Sequence, residues 1–288
     1  AIAGAFLESR ELLVIGGQVK TSDLSNAKLR QRGIQEIDGV SIIKPISVNS
    51  SILTKPINQN KFNKIITTNY HSRKGPVFLE IPIDIQAKNV DFKINSTTYL
   101  PKSSRKISDH DLNYIISKLN KSKRPSLLIG GGVSRVVVKE IESFLKSLRI
   151  PIFTTWNGAD RITTDYKNYM GRPNTWGQRS SNIILQQSDL LVAVGSRLGM
   201  QQTGFNWKSF LPGGEIIQID IDKSELKKGH PLIKKAIWGD ANFFLKELVN
   251  KKILSHDKWL MYAKSIRRML PLVEPVNKTR KDITICFC

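Results

Sequence analysis

"RPSLLIGGGVSRVVVKEIESFLKSLRIPIFTTWNG", residues 124–158, decides the fold class. A short apolar run, Leu127 to Ile129, ends on three glycines. From Arg135 to Arg149 apolar residues recur at three- and four-residue spacing, and a second apolar run, Ile150 to Phe153, then ends on polar residues and Gly158. A continuous apolar run suits a strand buried on both faces, and the three-to-four spacing suits an amphipathic helix. Strand, helix and strand in succession predict parallel pairing through a helical crossover.

Working outward, the same pattern recurs. "ELLVIGGQ" (11–18), "GPVFLEIPID" (75–84), "DLLVAVGSR" (189–197) and "GEIIQIDID" (214–222) read as strands, and 108–122, 180–189 and 239–252 read as helices. The expected class is α/β with parallel sheets. A polar stretch containing Pro82, Pro101 and several serines reads as a linker. The expected organisation is a first domain over 1–90, a linker over 91–107, a central α/β domain over 108–252, and a helix and tail over 253–288 leading toward a further domain. The opening "AIAGAFLESRELLVIGG" has neither an initiating Met nor a basic leader, and reads as the interior of a longer protein.

The 288 residues are 40% hydrophobic and 24% charged, as in ordinary soluble domains. No apolar run reaches the roughly eighteen residues of a membrane helix. The two cysteines, Cys286 and Cys288, are too close for an unstrained bridge and have no nearby His, so they read as free thiols and the cytoplasm is the expected compartment. The net charge of +21 raises nucleic-acid binding. The basic runs at 120–124, 223–228 and 264–269 are separated and not interleaved with aromatics, so they read as solvated surface rather than a specific nucleic-acid face. His71, His110, His230 and His256 are dispersed without metal-ligand spacing, and neither GxSxG nor a P-loop occurs.

Candidate site residues cluster at strand ends. Gly130, Gly131 and Gly132 either let a phosphate approach a helix start or make a tight strand-to-helix turn; the GxGxxG fingerprint is absent. Gly195 and Arg197 follow a second strand, with the arginine able to face a phosphate. Asp220 and Asp222 end a third, placed to accept a ribose hydroxyl or, for Asp222, to cap a helix. Together they predict a nucleotide crevice at strand carboxyl ends. Trp156, Trp176 and Trp207 read as core or interface packing.

In order and spacing these stretches resemble thiamine-diphosphate-dependent enzymes of the acetolactate synthase family. "AGAFLESRELLVIGGQV", "RGIQEIDGVSIIKPIS" and "GPVFLEIPIDIQ" resemble its pyrimidine-binding domain. "RPSLLIGGGV", "PIFTTWNGADRI", "SDLLVAVGSRLG", "IIQIDIDKSEL" and "AIWGDANFFL" resemble its central domain. The resemblance implies two doubly wound parallel-sheet domains, a partial pyrimidine-binding domain and then a Rossmann-like central one. It implies thiamine diphosphate and Mg²⁺ in the complete enzyme, a 2-oxo acid substrate and a homo-oligomer, with this chain inactive alone. Gln18 and Gln35 match positions lining the active site, with backbone bracing the alternative for Gln18. In flavin-bearing members, segments matching Asn174–Arg197 and Asp220–Asp240 hold FAD. Ile34 stands where the family has Phe, Ser47, Val48 and Asn49 replace Thr-Lys-His, and "GRPNTWG" (171–177) replaces Gly-Met-His-Gly-Thr. These departures leave open another 2-oxo acid or a sugar-derived carbonyl. A nucleotide-binding or purely structural module without chemistry is the alternative reading.

Overall fold

The computed structural model describes residues 1–25, 29–67, 73–89 and 105–273. Most of the expected linker, His71, the tail from residue 274 and both cysteines lie outside the described residues. The chain divides into two compact units, 1–103 and 104–288.

The first unit holds a three-stranded parallel sheet: β1 (Leu12–Gln18), β2 (Asn49–Ile52) and β3 (Pro76–Pro82), in the order β1-β3-β2. The centre strand β3 carries the continuous apolar run and is buried along almost its whole length. On β1 burial alternates, and Leu13 and Ile15 are exposed. The apolar "GVSII" forms a short helix, Gly39–Ile43. Asp38 caps it by accepting a hydrogen bond from the Ser41 amide at 2.9 Å.

The second unit is a six-stranded parallel sheet: β4 (Pro125–Ile129), β5 (Ile152–Thr154), β6 (Tyr169–Gly171), β7 (Leu190–Val194), β8 (Glu215–Asp220) and β9 (Lys235–Trp238). Its order is β6-β5-β4-β7-β8-β9, so the chain reverses its direction of travel between β4 and β7. That is the topological switch point at which open α/β sheets place their ligand crevice. Side chains alternate across the sheet, so each face has its own core. Leu127, Ile129, Val192, Val194, Ile217 and Ile219 meet the helices Asp109–Lys121 and Ala241–Val249 on one face. Leu128, Phe153, Leu191, Ala193 and Ile216 meet the helices Arg179–Gln186 and Asp257–Met269 on the other. The sheet is thus doubly wound.

The helical period over 135–149 resolves into two helices, Arg135–Glu140 and Glu142–Ser147, parted at Ile141. The helix Asp257–Met269 packs into the second unit through buried Trp259, Leu260 and Ala263. Among the described residues no helix is long and apolar enough to cross a membrane.

Candidate functional site

In the first unit the site begins where β1 ends. Gln18 donates through Nε2 to the Ile37 carbonyl at 2.9 Å, and its Oε1 accepts from the Val19 amide at 2.9 Å. Gln18 therefore braces the strand end against the loop preceding Gly39, as its bland alternative requires, and brings that loop beside β1. Gln35 sits two residues from Ile37 on the same loop, exposed, in the left-handed region at φ 59°. Neighbouring Ile34 is 88% exposed. The loop is organised by the Glu36 carboxylate, which accepts from the amides of Ser25 (2.6 Å), Arg32 (2.9 Å) and Gly33 (3.0 Å). These bonds, led by that from Ser25, pull its pKa down to about 2.

Sequence reading missed Glu80. It lies on β3, only 5% exposed. Burial raises its pKa, a hydrogen bond with Gln18 partly offsets the rise, and the nearby Asp38 carboxylate adds to it. A Cβ at position 39 would lie 2.2 Å from Glu80 Oε1, so glycine there makes room for the acid. The signal was present: a lone acid inside "PVFLEIP" breaks an apolar strand. The folded protein holds the Glu80 proton more tightly than the unfolded chain does. Its contribution to stability is therefore favourable at low pH and is lost as pH rises from the ordinary glutamate value, about 4.3, through the raised one. Glu80→Gln is expected to remove this dependence. Thermal unfolding midpoints measured between pH 4 and 8 should fall with rising pH in the native chain relative to the variant. Parallel curves would show that Glu80 is not held protonated.

In the second unit the predicted glycines converge at the switch point. Gly130 and Gly132, after β4, lie against Gly195, after β7, whose φ is 61°. The Gly130 amide donates to the Val194 carbonyl at 2.8 Å and the Gly132 amide to the Gly195 carbonyl at 2.9 Å. Asp240 joins them through Asn242, a residue sequence reading missed. Asn242 Oδ1 accepts from the Ser134 amide at 2.7 Å, while its Nδ2 reaches Gly132 O at 3.3 Å and Asp240 Oδ1 at 3.0 Å. Asp240 itself caps the helix Ala241–Val249, accepting from the Asn242 amide at 2.7 Å.

Asp222 likewise caps the helix Lys223–Lys227 through the Ser224 amide at 2.8 Å, and Asp220 Oδ1 accepts from the Asp222 amide at 2.9 Å. The Arg197 carbonyl accepts from Lys228 Nζ. Asn174 lies on the loop after β6, exchanging hydrogen bonds with the Asn182 side chain at 3.0 Å and accepting from the Trp176 amide at 2.7 Å. That loop reaches the segment after Arg197, where the Thr175 amide donates to Gln201 O at 2.9 Å.

Of the expected core or interface packing, core placement does not hold for two of the tryptophans: Trp156 is 67% and Trp176 55% exposed, while Trp207 is half-buried, edge-on to His230 at 5.5 Å. Among the described residues no group of three or more His, Cys, Asp or Glu side chains can hold a metal ion.

The family model described as "Thiamine pyrophosphate enzyme, central domain" matches residues 112–248, within the second unit. Similarity to curated proteins extends across both units. The acetolactate synthase large subunit of Corynebacterium glutamicum is 30% identical over 285 residues, covering 94% of this chain and 44% of that protein. The probable acetolactate synthase large subunit of Methanocaldococcus jannaschii is 28% identical, covering 97% of this chain and 48% of that protein. The acetolactate synthase isozyme 2 large subunit of Escherichia coli K12 is 27% identical, covering 92% and 47%. The chain thus spans about half the length of the curated relatives it matches. With a parallel α/β sheet in each unit and this similarity running through both, the chain is similar to the thiamine-diphosphate-dependent enzymes of the acetolactate synthase family, and residues 112–248 match their central domain.

Proposed function

We propose that this chain is the pyrimidine-side and central portion of a carboligase or decarboxylase that acts on a 2-oxo acid, and that it is inactive alone. One observation supports the reading: similarity to acetolactate synthase large subunits runs through the first unit as well as the central domain. Thiamine diphosphate, when bound, supplies carbanion stabilisation, and the protein contributes binding and orientation. In the proposal Gln18 and Gln35 line the site. Gln35 fits that role because its exposed amide offers a donor and an acceptor to substrate oxygens but does not titrate, whereas Gln18, whose amide already bonds Ile37 and Val19, fits it by positioning the loop that carries Gln35. Gln18 is fixed by its bonds to Ile37 and Val19, and Gln35 is exposed on the adjoining loop.

The proposed Mg²⁺ would take its ligands from outside the described residues, since these contain no cluster that fits it. The proposal extends to a homo-oligomer in the cytoplasm, with another 2-oxo acid in place of pyruvate favoured by Ile34, Val48 and Asn49.

The test is a 2-oxo acid decarboxylation assay with thiamine diphosphate and Mg²⁺, run on the 288-residue chain and on the polypeptide translated from its full reading frame. Turnover by the second and not the first is expected. Silence from both overturns the enzymatic reading, and turnover by the first overturns inactivity of the chain alone.

A further inference from the structure

We infer that the switch-point crevice of the second unit takes neither FAD nor ADP, and that its glycines serve packing between two strand ends. A diphosphate at a Gly-rich turn is held by main-chain N–H groups aimed outward at it. Here most of those donors turn inward. From Gly130 to Val136, five amides already donate within the protein. Gly130 bonds to Val194 O at 2.8 Å, Gly132 to Gly195 O at 2.9 Å and Val133 to Gly130 O at 3.2 Å. Ser134 bonds to Asn242 Oδ1 at 2.7 Å and Val136 to Ser134 Oγ at 3.2 Å.

The space over the glycines is also filled. A Cβ on Gly130 would meet Gly195 O at 2.2 Å, one on Gly131 the Asn157 Cβ at 3.0 Å, and one on Gly132 Gly195 O at 3.0 Å. The missing side chains therefore make room for neighbouring backbone, and no phosphate is needed to explain them.

Arg161 closes the turn from above. Its side chain is 7% exposed and ion-paired with Asp160, which also pairs with Arg135. Arg161 donates from Nε to Val133 O at 2.5 Å and from Nη2 to Gly131 O at 3.3 Å. A guanidinium that could have met a phosphate is thus engaged with the turn's own carbonyls. The two acids placed for a ribose hydroxyl are engaged too: Asp222 caps a helix through the Ser224 amide, and Asp220 Oδ1 accepts from the Asp222 amide at 2.9 Å. One buried polar atom nearby lacks a partner: Gln218 Oε1, on the residue whose Nε2 donates to Ser196 O at 2.9 Å. It is an acceptor, as a phosphate oxygen is, and so gives a diphosphate no hold.

The experiment uses the whole 288-residue chain, titrated to millimolar FAD and, separately, ADP. Flavin fluorescence and the thermal midpoint are the readouts, and a cooperative unfolding transition is the folding control. Neither ligand is expected to shift the midpoint or give a saturable fluorescence change. A saturable response to either overturns the inference. Hydrogen exchange of the peptide spanning 129–136, without ligand, is the second measurement. Protection of the Gly130, Gly132, Val133 and Ser134 amides is expected, and exchange at the rate of an open loop overturns the inference by itself. Both readouts are independent of catalysis, so they stand whether or not the decarboxylase proposal survives.

Discussion

Gly130→Ala is expected to destabilise the second unit by about 3–5 kcal/mol. The added methyl would sit 2.2 Å from Gly195 O, 2.6 Å from Gly195 C and 2.7 Å from Ser196 Cα. All three are main-chain atoms, so no side chain can rotate away. Relief requires the ends of β4 and β7 to separate, which lengthens the Gly130–Val194 and Gly132–Gly195 bonds. Overpacking in a filled site typically costs about 1–3 kcal/mol, and each weakened hydrogen bond adds about 1 kcal/mol. For a unit of this size the thermal midpoint should drop by roughly 10 °C, at about 2–4 °C per kcal/mol. Gly213→Ala is the control, because a Cβ there meets nothing within 4 Å; its effect should stay within about 0.5 kcal/mol. Equal midpoints for the two variants would mean that the turn relaxes freely and that the tight contact is not what makes position 130 a glycine.

How much of this was legible in the sequence depended on position in the sheet. The runs at β3, β4, β7 and β8 were readable because a strand between two neighbours, covered on both faces, must be apolar throughout. The three strands not anticipated, β2, β6 and β9, are all edge strands of three or four residues. Their sequences, "NSSI", "YMG" and "KAIW", are too short for a period to register. The opposite error occurred at β1, also an edge, where "LLVI" reads as buried while Leu13 and Ile15 are exposed.

The site followed the same division between local and non-local information. Asp222 as a helix cap was readable from adjacent residues, because a cap is a contact over two or three positions. The choice between cradle and tight turn at Gly130–Gly132 was not, because it is decided by atoms of Gly195 and Asn242, some 65 and 110 residues away. Gln18 was readable as the end of β1, yet its partner Ile37 lies on a loop without periodic pattern.

Trp259→Ala is expected to cost about 4 kcal/mol and to show whether the helix Asp257–Met269 is integral to the central domain. Trp259 is 4% exposed and packs in the core face that contains Leu128, Phe153 and Leu191. It stacks on Tyr262 with centroids 5.7 Å apart, and its indole Nε1 donates to the Pro125 carbonyl at 3.1 Å. Pro125 opens β4, a strand at the switch point, so this bond ties the helix to the middle of the sheet. Truncating a buried aromatic to alanine removes about 3–5 kcal/mol, and here it also strands the Pro125 carbonyl. Trp259→Phe keeps most of the buried ring and loses the N–H, so a smaller loss, about 1–2 kcal/mol, should separate the hydrogen bond from the packing. Urea unfolding provides the measurement. A lower midpoint with an unchanged slope would place the whole loss in the stability of a unit that unfolds together with its last helix. A loss below about 1 kcal/mol for the alanine variant would instead mean that this helix is an appendage, and that the sheet with its other helices is a complete cooperative domain without it.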